Sequence, residues 1–280
     1  MTTFNVYRRQ TVDDTPVAIA TGLTSKDYSD ATAVNGESYL YSIGAIKEGV
    51  EKIGSEIKIK AGGDLYWDDV ITLLNFESND LTDATEKRTW SASDISIVTT
   101  NAVTLWGNYC LDLTGTSLGH YIYTLDSQDF NFGNGDFSIE ASFKLLSKDS
   151  FHTFISQRID NGNNESFCFF YFNNNFYFDY TTNGTTVSQF ITSANLDLNT
   201  KYDVQLVRDG EFLRLGLNGI ELNSLNIGTS TLYNSTARVV IGQLNDSLQG
   251  GYINGYIDEI RVTKGIAREI QTKTSPFPTS

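Results

Sequence analysis

Asp129-Phe130-Asn131-Phe132-Gly133-Asn134-Gly135-Asp136-Phe137-Ser138-Ile139-Glu140-Ala141-Ser142-Phe143 decides the reading of this chain. A polar, glycine-rich turn over Gly133–Asp136 runs into strict alternation. Phe137, Ile139, Ala141 and Phe143 point one way; Ser138, Glu140, Ser142 and Lys144 point the other. A period of two with one apolar side predicts a half-buried β-strand.

The same grammar extends on both sides. Asp64 to Glu77 holds a strand with apolar residues on both faces, as in a strand covered from both sides. Phe167–Phe172 and Phe176–Thr181 predict paired strands around Asn173–Asn175. Asn183-Gly184, Asp209-Gly210 and Asn218-Gly219 are hairpin signals, because Asn, Asp and Gly tolerate the positive φ of tight turns. With 17 Phe and 15 Tyr against a single Met, composition also favours strands over helices. The expected fold class is all-β.

Residues 1–61 form a separate module. Phe4–Arg8, Val17–Ala20, Glu37–Ile46 and Ile53–Lys60 read as strands, and Gly22–Asp30 as turn, strand, turn. Two glycines in Ala61-Gly62-Gly63 make the linker. The expected domains are 1–61, 62–268 and an extended C-terminal tail, 269–280, marked by Pro276 and Pro278.

The net charge is −14, and residues 1–61 carry only −1 of it (7 Lys/Arg against 8 Asp/Glu). The remainder repels phosphate backbones and anionic lipid, so no nucleic-acid partner is expected. No apolar run reaches the ~20 residues of a membrane span, and the first residues lack a signal peptide's apolar region. Cys110 and Cys168 give neither a disulfide framework nor a metal-binding spacing.

Several motifs carry a family likeness. Phe130–Phe143, Asp64–Glu77, Thr82–Trp90, Cys110–Gly115, Tyr202–Leu222 and Ile253–Arg268 resemble the concanavalin A-like (laminin-G-like) jelly rolls found in bacteriophage tail proteins. Val6-Tyr7-Arg8, Ala20–Thr24, Tyr28–Asp30 and Gly36–Tyr41 resemble the second half of a fibronectin type III domain. Its first two strands are absent, which implies an apolar face that a neighbour must cover. The resemblance implies a virion protein, tail or fibre associated and made in the host cytoplasm. It implies a non-enzymatic role, with the jelly roll binding host-surface polysaccharide or other virion proteins. Homo-oligomerisation, with a trimer as the pattern in such proteins, is implied in the same way. A purely structural decoration protein without ligand is the alternative, and a glycan-degrading enzyme the third reading.

Chemistry-bearing residues are few. Asp136 and Glu140 share a face but stand about 13 Å apart at strand rise, outside the about 5–9.5 Å of glycosidase carboxylate pairs. Asp258 and Glu259 are adjacent, so an extended strand sends them to opposite faces. The Glu-x-Asp run of glycan-cleaving relatives is missing. His120 and His152 have no zinc-ligand spacing around them. Tyr171, Tyr177 and Tyr180 are the candidate glycan-binding residues, because aromatic faces stack on the C–H faces of sugars; core packing or a subunit contact is the other reading. No cofactor is certain. Ca²⁺ is the one candidate, implied by the resemblance to laminin-G-like domains, with Asp160, Asn163, Asn245 and Asp246 as oxygen ligands on loops; solvated turns account for the same residues.

Overall fold

The alternating segments resolve into strands throughout, and there is no α-helix among the described residues. The structure is a computed structural model; it describes residues 2–25, 27–34, 36–94, 98–114, 120–159, 164–244 and 251–280. The chain divides into two units, Met1–Trp67 with Pro278–Ser280, and Asp68–Phe277.

The first unit is built from β1 (Thr3–Arg9), β2 (Val17–Leu23), β3 (Ser38–Lys47), β4 (Val50–Ile53) and β5 (Ile57–Lys60). They make one sheet in the order β2-β1-β3-β4, with β5 also on β3. Phe4 and Val6 lie opposite Ala45 and Ile43, and Tyr39 and Tyr41 opposite Ile59 and Ile57, which gathers an apolar face. Among the described residues no second sheet closes over it: Ile43 is 54% and Ile57 59% exposed. A cleft of about 700 Å³ lies against this face, lined by Phe4, Leu23, Tyr28, Tyr41 and Ile59 among others. Two details differ from the sequence reading. Among the described residues, Gly22–Asp30 holds no separate strand. Instead the Asp30 carboxylate ties this segment to the sheet, accepting hydrogen bonds from Arg8 Nη1 (2.7 Å) and Tyr41 Oη (2.8 Å). Ile53–Lys60 is also not one strand, because β4 and β5 pair with opposite ends of β3.

The second unit begins with β6 (Val70–Leu74), β7 (Ser91–Ala92), β8 (Val98–Thr100), β9 (Cys110–Asp112), β10 (Ile122–Thr124), β11 (Phe137–Leu145) and β12 (His152–Gln157). There follow β13 (Phe167–Phe172), β14 (Asn175–Thr181), β15 (Val187–Ser193) and β16 (Lys201–Asp209). β17 (Phe212–Leu217), β18 (Ile220–Asn226), β19 (Val239–Ile241) and β20 (Gly255–Lys264) complete it. A seven-stranded sheet runs β15-β14-β13-β12-β19-β10-β7. An eight-stranded sheet runs β18-β17-β16-β11-β20-β9-β8, with β6 also on β20. Their facing sides form one hydrophobic core, in which Phe137, Ile139 and Phe143 of β11 meet Phe167, Phe169, Tyr171, Phe176 and Phe178 of the other sheet. Each fully buried ring contributes about 1.5–3 kcal/mol relative to exposure.

The turn before β11 is a hub. Gly133 adopts φ +57°, and its carbonyl accepts hydrogen bonds from Leu232 N (2.8 Å) and Arg208 Nη1 (3.1 Å). Asp136 Oδ1 accepts from Gly210 N (2.7 Å). Arg208 is fully buried and also donates to the carbonyls of Gly210 and Gly228. The glycine-rich turn is therefore a structural clasp between β11 and the β16–β17 hairpin.

The outward side of β11 departs from the half-buried expectation. Ser138, Glu140 and Ser142 are as buried as the apolar residues between them. Ser138 Oγ donates to Ile266 O (2.9 Å) and accepts from Arg268 N (2.8 Å), so chain far downstream covers this side.

Candidate functional site

The two outer surfaces of the jelly roll differ in chemistry. On the seven-stranded sheet, the Phe172–Asn175 pairing leaves a two-residue hairpin loop, Asn173-Asn174, both with positive φ (47° and 58°). That register sets Tyr171 opposite Phe176 and Phe170 opposite Tyr177. Tyr171 and Tyr180 consequently face the core, and Tyr171 is fully buried. The Tyr171 hydroxyl donates to Ala194 O (3.0 Å). Tyr177 lies on the other face, half-buried. The three candidate tyrosines thus lie on two sides of the sheet, and only Tyr177 reaches the outer surface.

Tyr177 belongs to an aromatic row of which sequence patterning did not reveal one member, Phe151. Its ring stacks on Phe170 at 4.8 Å and 2°. Phe151, 39% exposed, stacks on Phe172 at 4.1 Å and 10° and reaches Phe170 at 5.5 Å. Ile191, opposite Tyr177 on β15, extends the row. Polar groups border it: Asn175 and Ser193 in the register of Phe172, and Gln189 Nε2 donating to Asp179 Oδ1 (2.9 Å). Two stacked ring pairs, inclined to each other by 55° and edged by amide, hydroxyl and carboxylate groups, suit a ligand with apolar faces and hydroxyl rims.

The outer surface of the eight-stranded sheet is ionic. Glu140 Oε2 meets Arg261 Nε at 2.6 Å and Arg268 Nε at 3.7 Å, while Gln205 Nε2 donates to Glu140 Oε1. Asp258 and Glu259 do not alternate as an extended strand requires. β20 carries a register shift opposite Glu140–Ser142, and Glu259 takes φ +50°. Ile257 and Ile260 on either side are in the core, so the bulge turns both carboxylates outward. Asp258 Oδ2 accepts Trp106 N (3.0 Å) and its Oδ1 accepts Glu259 N (2.7 Å). Burial, reinforced by the Glu259 charge, pushes the Asp258 carboxyl up to about 8. Burial also raises Glu259 and lowers its partner Lys273 from its ordinary range. The Lys273 Nζ–Glu259 Oε2 contact is 2.7 Å. Nearby, Asp203 Oδ1 accepts from Trp106 Nε1 (2.9 Å) and Ser142 Oγ (2.6 Å). Each of these carboxylates is engaged by protein donors.

The Ca²⁺ candidates Asp160, Asn163, Asn245 and Asp246 lie outside the described residues. Among the described residues no group of three or more His, Cys, Asp or Glu side chains is placed to hold a metal ion. His152 is fully buried at the start of β12; neither ring nitrogen has a hydrogen-bond partner, and burial lowers it to about 4. Cys110 and Cys168 are free and buried.

The model of the concanavalin A-like lectin/glucanases superfamily, in its laminin G type, matches residues 116–268. No curated protein sequence matches the chain. Among solved structures, the binding domain of Paraclostridial Mosquitocidal Protein 1 superposes with a TM-score of 0.57 at 13% identity, covering 72% of this chain and 50% of that one. The binding domain of botulinum neurotoxin DC, solved with rat synaptotagmin II, gives 0.54 at 13%, covering 71% and 48%. Botulinum neurotoxin type C, which interacts with two ganglioside molecules, gives 0.54 at 15%, covering 71% and 48%. The chain spans about half the length of these structures, and at such identity the likeness is one of fold. The family match extends over more than half of the sequence: the chain belongs to the concanavalin A-like lectin/glucanases superfamily.

Proposed function

We propose that this chain is a non-enzymatic, glycan-binding component of a bacteriophage virion, tail or fibre associated. The observation that carries the binding reading is the aromatic row Phe172–Phe151–Phe170–Tyr177 on the outer surface of the seven-stranded sheet. Phe151, Phe172 and Tyr177 are partly exposed and rest on the buried Phe170, so these rings are pre-ordered for the C–H face of a pyranose, with little side-chain entropy to lose. Structural neighbours that contact gangliosides or other glycans support the same reading. The engagement of Glu140 by Arg261 and of Glu259 by Lys273 supports binding over hydrolysis, since both carboxylates are held in ion pairs within the protein.

In this reading the first unit is a partial fibronectin type III-like docking module, whose open apolar face is covered by another virion protein. The sequence likeness to phage tail proteins supports that assignment, as does the uncovered cleft on β1, β3 and β5. The assembly is a homo-oligomer, with a trimer as the pattern of such tail proteins, and the polysaccharide is a component of the host surface.

The test is an array of bacterial surface polysaccharides probed with the labelled full chain, with reducing-sugar release followed in parallel. Saturable binding without sugar release is expected. Absence of binding to every polysaccharide, or release of reducing ends, overturns the reading.

A further inference from the structure

The aromatic row ends on a carboxylate. Along β14 the outward positions run Asn175, Tyr177, Asp179, and Asp179 lies opposite Cys168 on β13 and Gln189 on β15. Positions two apart on a strand stand roughly 7 Å from each other, so a sugar stacked on Tyr177 has its rim beside Asp179. The Asp179 side chain is only 8% exposed as a residue. Its Oδ1 accepts from Gln189 Nε2 (2.9 Å), which orients the carboxylate. Its Oδ2 has no hydrogen-bond donor among the described residues and is not sealed from solvent. Gln189 is exposed, and its Oε1 is likewise unengaged by the described residues. The edge of the ring platform thus offers acceptors.

The cation at this end of the row is already engaged. Arg158 Nη1 meets Glu165 Oε1 at 3.3 Å, and the Glu165 side chain is fully buried. Glu165 Oε2 has no partner, so its negative charge is only half satisfied by that contact. Burial raises the Glu165 carboxyl above its ordinary range; Arg158 opposes the rise and the Asp179 charge adds to it. Burial raises Asp179 as well, against the pull of Gln189 and Arg158. One guanidinium therefore serves two carboxylates. A ligand carboxylate brought here would be a third anion in a poorly solvated place. A ligand hydroxyl meets no such barrier. It donates to Asp179 Oδ2, and a hydrogen bond to a charged acceptor is among the stronger ones.

We propose that Asp179, oriented by Gln189, is the specificity-determining residue of the aromatic row: it accepts a hydroxyl of the sugar stacked on Tyr177 and selects neutral polysaccharide over polysaccharide bearing carboxylates. The inference rests on the glycan-binding reading above and adds to it the class of glycan. Selection has an attractive half, the hydroxyl bond, and a repulsive half, the uncompensated charge of Asp179 and Glu165. The rings alone supply neither, because stacking is indifferent to a charge at the sugar's rim.

The test uses a matched pair. The polysaccharide that binds best on the array is compared with its charge-altered form: carboxyl-reduced if it carries uronates, oxidised at its primary hydroxyls to uronate if it is neutral. Both members are titrated against the full chain at an ionic strength of about 0.15 M, where repulsion by the overall charge is screened beyond about 8 Å. The native chain should bind the neutral member about tenfold or more tighter than the acidic one. Asp179→Asn should weaken the neutral member by about tenfold or more and bring the two affinities together. Gln189→Ala, at an exposed position, is the second variant should Asp179→Asn not fold; it too should narrow the ratio. Tyr177→Ala should weaken both members alike and leave their ratio unchanged, which separates selection from stacking. Equal affinity of the native chain for both members overturns the proposal, as does a native ratio kept by the Asp179 and Gln189 variants. Binding without discrimination sinks this inference alone, whereas absence of binding to every polysaccharide sinks the glycan-binding reading itself.

Discussion

Replacing Asp258 by Asn should change the slope of stability against pH. In the folded chain Asp258 is fully buried beside Glu259, and its carboxyl titrates at about 8 instead of the ordinary 3.8. Between those values the folded state keeps a proton that the unfolded state has released. The contribution is therefore fully present below pH 3.8 and is lost as pH rises through about 8. The loss is about 1.4 kcal/mol per pH unit, or about 6 kcal/mol across the window. An amide in place of the carboxyl cannot ionise and escapes this loss. Asp258 accepts two backbone N–H groups, from Trp106 and Glu259; the substituted amide would turn an NH₂ toward one of them, at a pH-independent cost of about 1–3 kcal/mol. Urea unfolding of the native chain and the Asp258→Asn variant at pH 5 through 9, followed by tryptophan fluorescence, gives the difference in stability. That difference should move in favour of the variant by about 1.4 kcal/mol per unit up to pH 8 and then level off. Parallel profiles from pH 5 to 9 would refute the assignment of a buried, protonated Asp258.

The opposite slope belongs to His152, whose folded value of about 4 lies below its ordinary 6.5. Its contribution is complete above pH 6.5 and lost as pH falls through 4, about 3 kcal/mol in all. His152→Phe should remove that acid-side loss in the same urea series, and an unchanged acid limb would count against it. Arg208→Met removes the buried donor from the carbonyls of Gly210 and Gly228 and leaves that of Gly133 with Leu232 N alone. A loss of about 3–5 kcal/mol is expected by urea unfolding; a loss below about 1 kcal/mol would show that the clasp is dispensable.

How much of this was legible in the sequence depends on the range over which each feature is determined. The β11 alternation was plain because period two is a local property: Phe137, Ile139, Ala141 and Phe143 all reach the core. The turn Gly133–Asp136 was legible as a turn. Its grip on Arg208 and Gly210 was not, since those partners lie some 75 residues away. The covered state of Ser138 and Glu140 was hidden for the same reason, being set by Ile266 and Arg268. The bulge at Glu259 defeated the two-face rule for Asp258 and Glu259, because one inserted residue shifts the pleat and nothing in the pair announces it. The tyrosine triplet turned on hairpin register. Had Asn173-Asn174 been read as a two-residue loop with positive φ, Tyr171 and Tyr177 would have fallen on opposite faces from sequence alone. Phe151 had no such signal, since it precedes β12 and joins the aromatic row only through the fold.

The central claim, glycan recognition by the outer aromatic row, is tested most directly by titrating the best polysaccharide from the array against three full-length proteins: native, Tyr177→Ala and Phe151→Ala. Both side chains are partly exposed and outside the main core, so melting temperatures should stay close to native. Each substitution should weaken binding by about tenfold or more, matching the loss of about 1.5 kcal/mol or more of ring contact. Undiminished affinity in both variants, with their folds intact, would contradict the account.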